Sequence, residues 1–426
     1  MERTSRIEGF YKMPMEERLR IVRDFGQLTD DETLALSGLG GIDPAVPDRM
    51  IENAIGSFPL PLGVAVNFKI NDKEYLVPMA IEEPSVIAAA SNAAKMALPG
   101  GGFAATSTPP IMIGQVQLTG LKDPHSSKTL ILHRKKEILQ YANEQDPMLV
   151  SVGGGARDIE VRVIDTRTGP QVVVHLMVDV RDAMGANAVN TMAEAIAPKL
   201  EDMTGGRVYL RILSNLAVHR LARARALWKK EAIGGEEVVD GIMEAYSFAE
   251  ADPFRCTTHN KGIMNGIDAV ILATGNDTRA IEAGAHAYAA LRGEYKPLTK
   301  FEKTTDGDLA GTIELPMAVG LIGGATKTHP TARACIKLLG VKSGSELGEV
   351  AAAVGLAQNF AALRALATVG IQKGHMSLHA RNIVASVGCP PELAEEAVRI
   401  LISEKKIRMD RAAEVVKDLK NRGKQG

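Results

Sequence analysis

Residues 255–277, RCTTHNKGIMNGIDAVILATGND, predict an apolar helix that carries an unusual density of polar groups. Lys261 lies at the start of the apolar run, and Asp277 lies just past its end. Apolar surroundings favour the neutral form of a lysine, whereas a nearby carboxylate favours the charged form. Such a pair can stabilise a developing oxyanion and exchange protons near neutral pH. The alternative is a surface lysine and a helix-ending aspartate, but further polar groups in the segment favour a functional interpretation: Arg255, Thr258, Asn260 and Asn265.

The composition is that of an ordinary globular protein with room for two or three domains. The chain has 426 residues, of which 45% are hydrophobic and 24% are charged. Its 50 basic and 51 acidic residues give a net charge of −1. This balance argues against a nucleic-acid partner, because such partners are attracted by an excess of positive charge. An anionic ligand would have to be held by local clusters of cations.

The cysteines and the N-terminal residues indicate a cytoplasmic protein. Cys256, Cys335 and Cys389 are too few and too far apart for a disulfide framework or a zinc knuckle. The opening residues, MERTSRIEGFYKMPMEERL, are too polar for a signal peptide. No run reaches the roughly 18 apolar residues that span a bilayer, so we expect no membrane partner.

The pattern along the chain predicts a large domain interrupted by a smaller one. Residues 110–215 alternate predicted strands, helices and a hairpin turn, which is the element content of a compact α+β insertion. SKTLILHRKKEILQYANEQ within it predicts one helix. Ala351–Val369 is apolar on almost every side, as in a helix buried in a large domain. The terminal stretch from Pro390 to Arg422 is amphipathic.

Glu83 and Ser85 lie where a predicted strand, EYLVPMAI, gives way to a predicted helix. Ser85 suits the N-cap of that helix, with Pro84 before it. A helix N-terminus lowers the pKa of a glutamate, whereas a general acid needs its pKa raised by burial. The sequence leaves open whether Glu83 is a proton donor or a helix-capping residue.

The hexapeptide DAMGAN, residues 182–187, follows a predicted strand and opens a predicted helix. Gly185 permits close backbone approach, and free amides at a helix start can bind a pyrophosphate. The segment lacks the glycine pattern of a Rossmann domain. A second glycine stretch, GGGARD at residues 153–158, is more typical of a turn.

His375 and His379 are four residues apart in GHMSLHARN, on one face if this segment is helical. That spacing suggests zinc, but no HExxH motif or obvious third ligand accompanies it, so we predict no metal site. A histidine acting as a proton donor is the alternative. Gly374 would permit a mobile connection before it.

The candidate groups suit carbonyl reduction better than hydrolysis. They offer one fixed cation and several proton donors, and the chain has no GxSxG nucleophile motif. Two other classes stay open on the residues alone. One is a histidine-ligated metal hydrolase, and the other is a nucleotide-binding module without catalytic activity.

Seven motifs in a fixed order identify a resemblance that covers nearly the whole chain. The sequence closely resembles the 3-hydroxy-3-methylglutaryl-coenzyme A reductases, specifically the soluble class II form of bacteria and archaea. One small departure is ENAIG where the family motif usually has ENVIG, a change in packing and not in chemistry. The motifs are IENAIG (51–56), IEEPSVIAAAS (81–91), DAMGAN (182–187), HNKGIMNGIDAV (259–270), ATGNDTRA (273–280), GGATKTHP (323–330) and GHMSLHARN (374–382).

The resemblance implies a reduction of 3-hydroxy-3-methylglutaryl-CoA to mevalonate and free CoA with two reduced nicotinamides. It implies that Lys261 stabilises the oxyanion and that Asp277 holds and tunes Lys261. Glu83 would supply a proton as the aldehyde is reduced, and His375 would protonate the departing CoA thiolate. The family reaction is reversible, and one sequence does not decide its physiological direction.

Further residues carry over from the family motifs as binding groups. Arg255 suits a carboxylate because its planar fork binds both oxygens. Asp146 suits a ribose 2′-hydroxyl and would repel a 2′-phosphate, which favours NADH over NADPH as the cofactor. The implied substrate-binding residues are Ser85, Arg255, Asn265, Gln358 and His379, and the implied cofactor-binding residues are Asp146, Asp182, Met184, Gly185, Ala186 and Asn187.

The architecture implied by the resemblance is an α/β fold of the α+β kind. A large helix-rich domain that binds the CoA ester and forms the dimer would comprise residues 1–109 and 216–371. A small non-Rossmann α+β domain for the dinucleotide would comprise residues 110–215, and a C-terminal helical flap residues 372–426. The family forms homodimers with shared active sites, and three dimers often form a hexamer.

Overall fold

The computed structural model describes residues 4–38, 43, 45–368, 380–381, 383–404 and 406–422. Two sheets organise these residues. The strands are β1 (Leu62–Ile70), β2 (Lys73–Ala80), β3 (Phe103–Ser107), β4 (Ile111–Thr119), β5 (Gly155–Thr166), β6 (Gly169–Asp179), β7 (Arg207–Ser214), β8 (Leu221–Trp228), β9 (Thr299–Lys303) and β10 (Leu309–Pro316).

Helices make up most of the remaining described chain. They are α1 (Met15–Gly26), α2 (Asp30–Ser37), α3 (Ala45–Met50), α4 (Val86–Ala97), α5 (Pro124–His133), α6 (Lys135–Glu144), α7 (Pro147–Ser151), α8 (Ala186–Thr204), α9 (Lys230–Ile233), α10 (Glu236–Ala251), α11 (Pro253–Ala273), α12 (Thr278–Ala289), α13 (Gly324–Thr328), α14 (Pro330–Leu339), α15 (Gly344–Ala367), α16 (Pro391–Ser403) and α17 (Met409–Arg422).

The larger sheet has the strand order β2-β1-β3-β8-β10-β9. Its neighbouring strands are antiparallel except for the parallel pair β1 and β3. Helix α4 packs on β1, α11 on β2, and α15 on β3, β8 and β10. Because α11 and α15 also pack on each other, α11 is held between α15 and the sheet edge. This packing fixes where the polar side chains of α11 lie.

Helix α15 forms the centre of the large core. Its Phe360 ring stacks on Trp228 of β8, with centroids 4.1 Å apart and an interplanar angle of 8°. The predicted buried helix is therefore confirmed as far as Ala367. By length and composition α15 could cross a membrane, which differs from the sequence-based expectation, but 67% of its most apolar window is buried inside the protein.

The smaller sheet is inserted between two neighbouring strands of the larger one. Strands β3 and β8 pair antiparallel, with Ser107 opposite Ala222. The chain between them forms the antiparallel sheet β5-β6-β4-β7, on which α5, α6 and α8 pack. The predicted fold class, a helix-rich domain with an inserted α+β unit, is confirmed.

One segment predicted to be a continuous helix is split, and the amphipathic C-terminal stretch forms two helices. The segment 127–145 forms α5 and α6, which meet at Arg134 with φ −92° and ψ 15°. The guanidinium of Arg134 bonds Glu137, so the arginine closes one helix and contacts the first turn of the next. The amphipathic C-terminal stretch forms α16 and α17, which pack through their own apolar cluster, including Leu401 and Val415.

Candidate active site

The loop between β2 and α4 presents Glu83 and Ser85. Ser85 occupies the predicted N-cap position of α4, but its backbone is left-handed, with φ 78° and ψ −21°, and its side chain makes no capping bond. A left-handed non-glycine residue is strained by roughly 1–3 kcal/mol. The Ser85 hydroxyl oxygen is buried and has no hydrogen-bond partner among the described residues. It is available to a ligand.

Helix α11 brings Lys261 and Asn265 to Glu83. The two residues are four apart and share one face of the helix. The Lys261 Nζ donates to Glu83 Oε2 at 3.1 Å, and the Asn265 Nδ2 donates to the same oxygen at 3.5 Å. A cation, an amide and a carboxyl group therefore meet at one point. No motif in the sequence predicts this contact, because Glu83 and Lys261 are 178 residues apart.

Gln358 and Arg255 lie on the two helices that pack beside this point. Gln358 of α15 is buried, and its Oε1 has no partner within the described chain. A Cβ on Gly266 would lie 3.0 Å from the Gln358 Cβ, so Gln358 sits beside the turn that carries Asn265. Arg255, on the first turn of α11, forms no ion pair with any described residue, and burial lowers its pKa. Both groups can accept a polar ligand.

Asp277 does not contact Lys261 within one chain. It caps α12 by accepting from the Ala280 amide at 3.1 Å, and it pairs with Arg279 at 3.1 Å. Burial raises the pKa of Asp277, but the bonds from Arg279 and the backbone outweigh it and lower the pKa overall. From Lys261 to the end of α11 the helix rises about 18 Å, at about 1.5 Å per residue. Lys261 lies near the middle of α11 and Asp277 lies beyond its C-terminal end, so the helix holds the two residues apart.

The surroundings of Lys261 also differ from the sequence-based expectation. Its side chain is 60% exposed. One chain therefore does not provide the apolar enclosure that the surrounding sequence suggested.

The segment 182–187 forms a loop that starts α8. Gly185 is the N-cap, with φ 103° and no side-chain cap, so the first amides of α8 are open to an anion. A Cβ on Gly185 would lie 2.6 Å from a Val180 side-chain atom, which explains why glycine stands here. These features fit the pyrophosphate of a dinucleotide. Met184, Ala186 and Asn187 flank this position.

Arg220 fixes the same loop from inside the protein. Its guanidinium donates to the carbonyls of Ala183 at 3.0 Å and Met184 at 3.1 Å, and also to the carbonyl of Val319. Burial lowers the pKa of Arg220 to about 10, and nearby acidic groups oppose the shift. The Asp182 carboxylate accepts from the Gly344 amide at 2.9 Å. Sequence analysis missed Arg220, which no motif marks.

Asp277 lies near the loop formed by residues 182–187. The adjacent Asn276 side chain accepts from the Gly320 amide at 2.8 Å. Gly320 touches the loop so closely that a Cβ there would lie 2.5 Å from the Met184 nitrogen. In addition, the Leu321 amide donates to the Asp182 carbonyl at 2.9 Å. One chain thus carries two separate clusters, with Lys261 in one and Asp277 near the other.

Three predicted site residues remain, of which one lies in the described chain and two lie outside it. Asp146 caps α7 and accepts from the Leu149 amide at 2.9 Å. His375 and His379 lie outside the described residues. Among the residues described, no group of three acidic, histidine or cysteine side chains could hold a metal ion.

Comparison with known proteins assigns the family. The family model for hydroxymethylglutaryl-coenzyme A reductase matches residues 14–380. The chain belongs to the hydroxymethylglutaryl-coenzyme A reductase family. A reductase of this name from Archaeoglobus fulgidus is 60% identical over 98% of this chain and 95% of its own length.

Solved structures place the chain within class II of this family. A 3-hydroxy-3-methylglutaryl-coenzyme A reductase from Streptococcus pneumoniae aligns with a TM-score of 0.83 and 39% identity, over 97% of this chain and 99% of the other. The class II enzyme from the same organism, bound to NADPH in open conformations, aligns with a TM-score of 0.82 and 40% identity, over 85% and 99% of the two chains. The chain is a class II oxidoreductase of this family.

The clamp formed by Arg220 can be tested by amide hydrogen exchange. Arg220→Leu removes the guanidinium donor from the buried carbonyl of Val319 and from the partly buried carbonyls of Ala183 and Met184, and a buried carbonyl without a donor costs about 1–3 kcal/mol. We expect exchange at residues 183–185 to accelerate by at least about tenfold, because local opening becomes easier.

The matched control is Arg225→Leu, on the exposed side of the adjoining strand β8. It should leave exchange in the loop unchanged. Equal protection in wild type and Arg220→Leu would show that other contacts hold the loop.

Proposed function

We propose that the chain reduces 3-hydroxy-3-methylglutaryl-CoA to mevalonate and CoA in two steps, reversibly, with a reduced nicotinamide dinucleotide. The observation that carries the proposal is the meeting of Lys261, Asn265 and Glu83, next to the unpartnered polar groups of Ser85 and Gln358. A thioester reductase needs a fixed cation for the oxyanion and a carboxyl group to deliver a proton. The described residues bring both to one point.

The roles of these residues follow from their charges and positions. Lys261 holds the carbonyl oxygen of the thioester as negative charge develops on it. Glu83, bonded to Lys261, is placed to give a proton to the same oxygen. Ser85, Asn265 and Gln358 orient the polar part of the acyl group, and Arg255 binds its carboxylate. His375, with His379 near it, is assigned the protonation of the CoA thiolate on the resemblance alone.

The loop 182–187 and the start of α8 would hold the dinucleotide, which supplies hydride to the thioester carbon. The open amides beside Gly185 bind its pyrophosphate, and Asp146 at α7 binds its ribose. We propose the domain limits given by the sequence, with the small domain at 110–215. In chain order, the strands of its sheet begin with β4 at Ile111 and end with β7 at Ser214, which supports these limits.

The separation of the two clusters supports a site shared between subunits. Since the rise of α11 from Lys261 to its C-terminal end holds Asp277 away from Lys261, Lys261 would be tuned by Asp277 of the partner subunit. Exposed apolar side chains of the described chain support an interaction surface. They are Ile51, Ile55 and Phe58 before β1, and Phe254 and Leu272 on the open face of α11. We propose a cytoplasmic homodimer, which can assemble further into a hexamer of three dimers.

The reductase function is tested by following oxidation of reduced nicotinamide with the CoA ester as substrate. Wild type should turn over, and Lys261→Met should lose about 10²-fold or more in kcat, because a fixed oxyanion partner is removed. Lys300→Met is the control, since Lys300 is similarly exposed and lies on β9. If wild type fails to oxidise the nicotinamide, the proposed function is wrong. Full turnover by Lys261→Met would remove Lys261 from the mechanism.

The shared site is tested by co-expressing Lys261→Ala and Asp277→Ala chains. Each variant alone should be inactive. In a mixed dimer with sites formed across the interface, one site receives both native residues, so random mixing should restore about a quarter of wild-type activity. If the two residues acted within one chain, no mixed site would be complete. Absence of recovery in verified mixed dimers would contradict the sharing of the site.

The proposed preference for NADH is tested with Asp146→Asn. Asparagine keeps the N-cap of α7 and removes the charge that a 2′-phosphate would meet. We expect the ratio of kcat/KM for NADH to that for NADPH to fall by about tenfold, the scale of one charged hydrogen bond. Asp123→Asn is the matched control, because Asp123 caps α5 in the same way. An unchanged ratio in Asp146→Asn would place selectivity elsewhere.

A further inference from the structure

Asp268 lies on the same face of α11 as the candidate catalytic groups. Lys261, Asn265 and Asp268 occupy positions i, i+4 and i+7, which line one side of a helix. Asn265 bonds Glu83, and Asp268 follows Asn265 by one turn, with Cβ atoms about 5–6 Å apart. The Asp268 Oδ1 is buried without a donor among the described residues. A buried ionised carboxylate without donors would be costly.

A contact with helix α12 explains how the protein tolerates the buried carboxyl group of Asp268. Helix α12 packs on α11 and carries Glu282, whose side chain shares a hydrogen bond with the Asp268 carboxyl. Two carboxyls in contact do not both ionise readily. Burial and the hydrogen bond and charge of Glu282 raise the pKa of Asp268 well above its ordinary value. The pair therefore retains a proton at a pH where an isolated carboxyl group has lost its own.

A chain of hydrogen bonds continues from this pair to the surface. The His286 Nε2 lies 2.8 Å from Glu282 Oε2, and the His286 Nδ1 lies 2.7 Å from the Tyr295 hydroxyl. The Glu282 and His286 side chains are 37% and 38% exposed. Because an imidazole can accept a proton at one nitrogen and release one from the other, His286 can link Glu282 to solvent.

The charged groups around Asp268 are few. From α12 come Glu282 and His286, while Arg279 at the start of that helix is paired with Asp277. On α11 the ionisable side chain of the same face is Lys261. Helix α15 meets this part of α11 with neutral residues, including Val354 and Gln358 against Gly266. Within the described chain, Glu282 is the charged group that acts on Asp268.

We propose that the Asp268–Glu282 pair stores a proton that reloads Glu83 during the reaction, and that solvent refills the pair through His286. This inference rests on the proposed function. When Glu83 has protonated the substrate oxygen, it is a carboxylate beside Asn265. The O–H bond of Asp268 breaks as an O–H bond on Glu83 forms through intervening water, and the pair takes a replacement proton by way of His286. No electrons are transferred, and Asp268 acts through Glu83 without touching substrate.

The test is the pH profile of Asp268→Asn in the full-length protein. Asparagine matches the size and neutrality of a protonated carboxyl group and can still donate to Glu282, but it cannot release a proton. We expect near wild-type kcat at acid pH, where solvent protonates Glu83 directly. At alkaline pH we expect kcat to fall by about tenfold or more relative to wild type, with KM for the CoA ester unchanged.

Two further variants complete the design. Glu282→Gln interrupts the path at the second carboxyl and should give the same alkaline loss, which keeps the test decisive if Asp268→Asn folds poorly. Glu237→Gln, an exposed carboxyl on α10, should give the wild-type profile. Infrared difference spectra between wild type and Asp268→Asn should show the C=O stretch of one protonated carboxylic acid at neutral pH.

The outcomes separate this inference from the function on which it rests. If wild type reduces the CoA ester and the folded variants have profiles parallel to it, or if the carboxylic acid band is absent, proton storage is wrong and the reductase function stands. If wild type does not reduce the ester, the function itself fails. A selective alkaline loss in Asp268→Asn and Glu282→Gln supports the storage.

Discussion

The contact between the Lys261 ammonium and the Glu83 carboxylate joins the two elements on which the site depends. It links α11 to the loop between β2 and α4. Both side chains are over a third exposed, and exposed ion pairs contribute little to stability. The pair therefore does not hold the fold together. The packing of α11 on β2 and α15 places the two groups side by side, and their value lies in the chemistry that a fixed cation and a carboxyl group can perform.

The length of α11 imposes the second constraint. Helix α11 places Lys261 in the cluster with Glu83. The chain after this helix places Asn276 and Asp277 in the other cluster, beside the loop that starts α8. The straight helix of about 18 Å between Lys261 and the end of α11 cannot fold back to bring Asp277 to Lys261. If both clusters take part in one reaction, a second copy of the chain must bring the far end to the near one. The proposed sharing of the site between subunits follows from this helix geometry, and Phe254 and Leu272, exposed on the open face of α11, would give a second copy apolar surface to bury.

The sequence was sufficient for features that depend on local periodicity. The apolar composition of Ala351–Val369 predicted a core helix because a helix buried on every side needs no polar face. The alternation of elements between 110 and 215 likewise predicted the inserted α+β unit. The sequence failed where the result depends on how distant segments meet. Asp277 follows α11 closely in sequence, which suggested contact with Lys261, yet the rise of the helix separates them.

Other features were hidden for different reasons. The left-handed backbone of Ser85 turns an apparent capping serine away from the amides of α4, and residue type alone does not encode that φ. Arg220 directly precedes β8, and no motif marks it in the sequence. Its hydrogen bonds to the carbonyls of Ala183 and Met184 form because β8 starts beside the loop 182–187. The contact between Asp268 and Glu282 likewise requires the packing of α12 on α11.

The unpartnered polar groups of Ser85 and Gln358 indicate that the site is formed before the ligand arrives. A buried donor or acceptor without a partner costs about 1–3 kcal/mol, and neither residue offsets this cost within the described chain. Ser85 adds the strain of its left-handed backbone. A ligand that bonds both groups relieves the penalty without any ordering of the side chains, because their positions are already set by α4 and by the core helix α15. In the proposed function, this cost in the free protein would be recovered as selective affinity for a substrate whose polar atoms match these two positions.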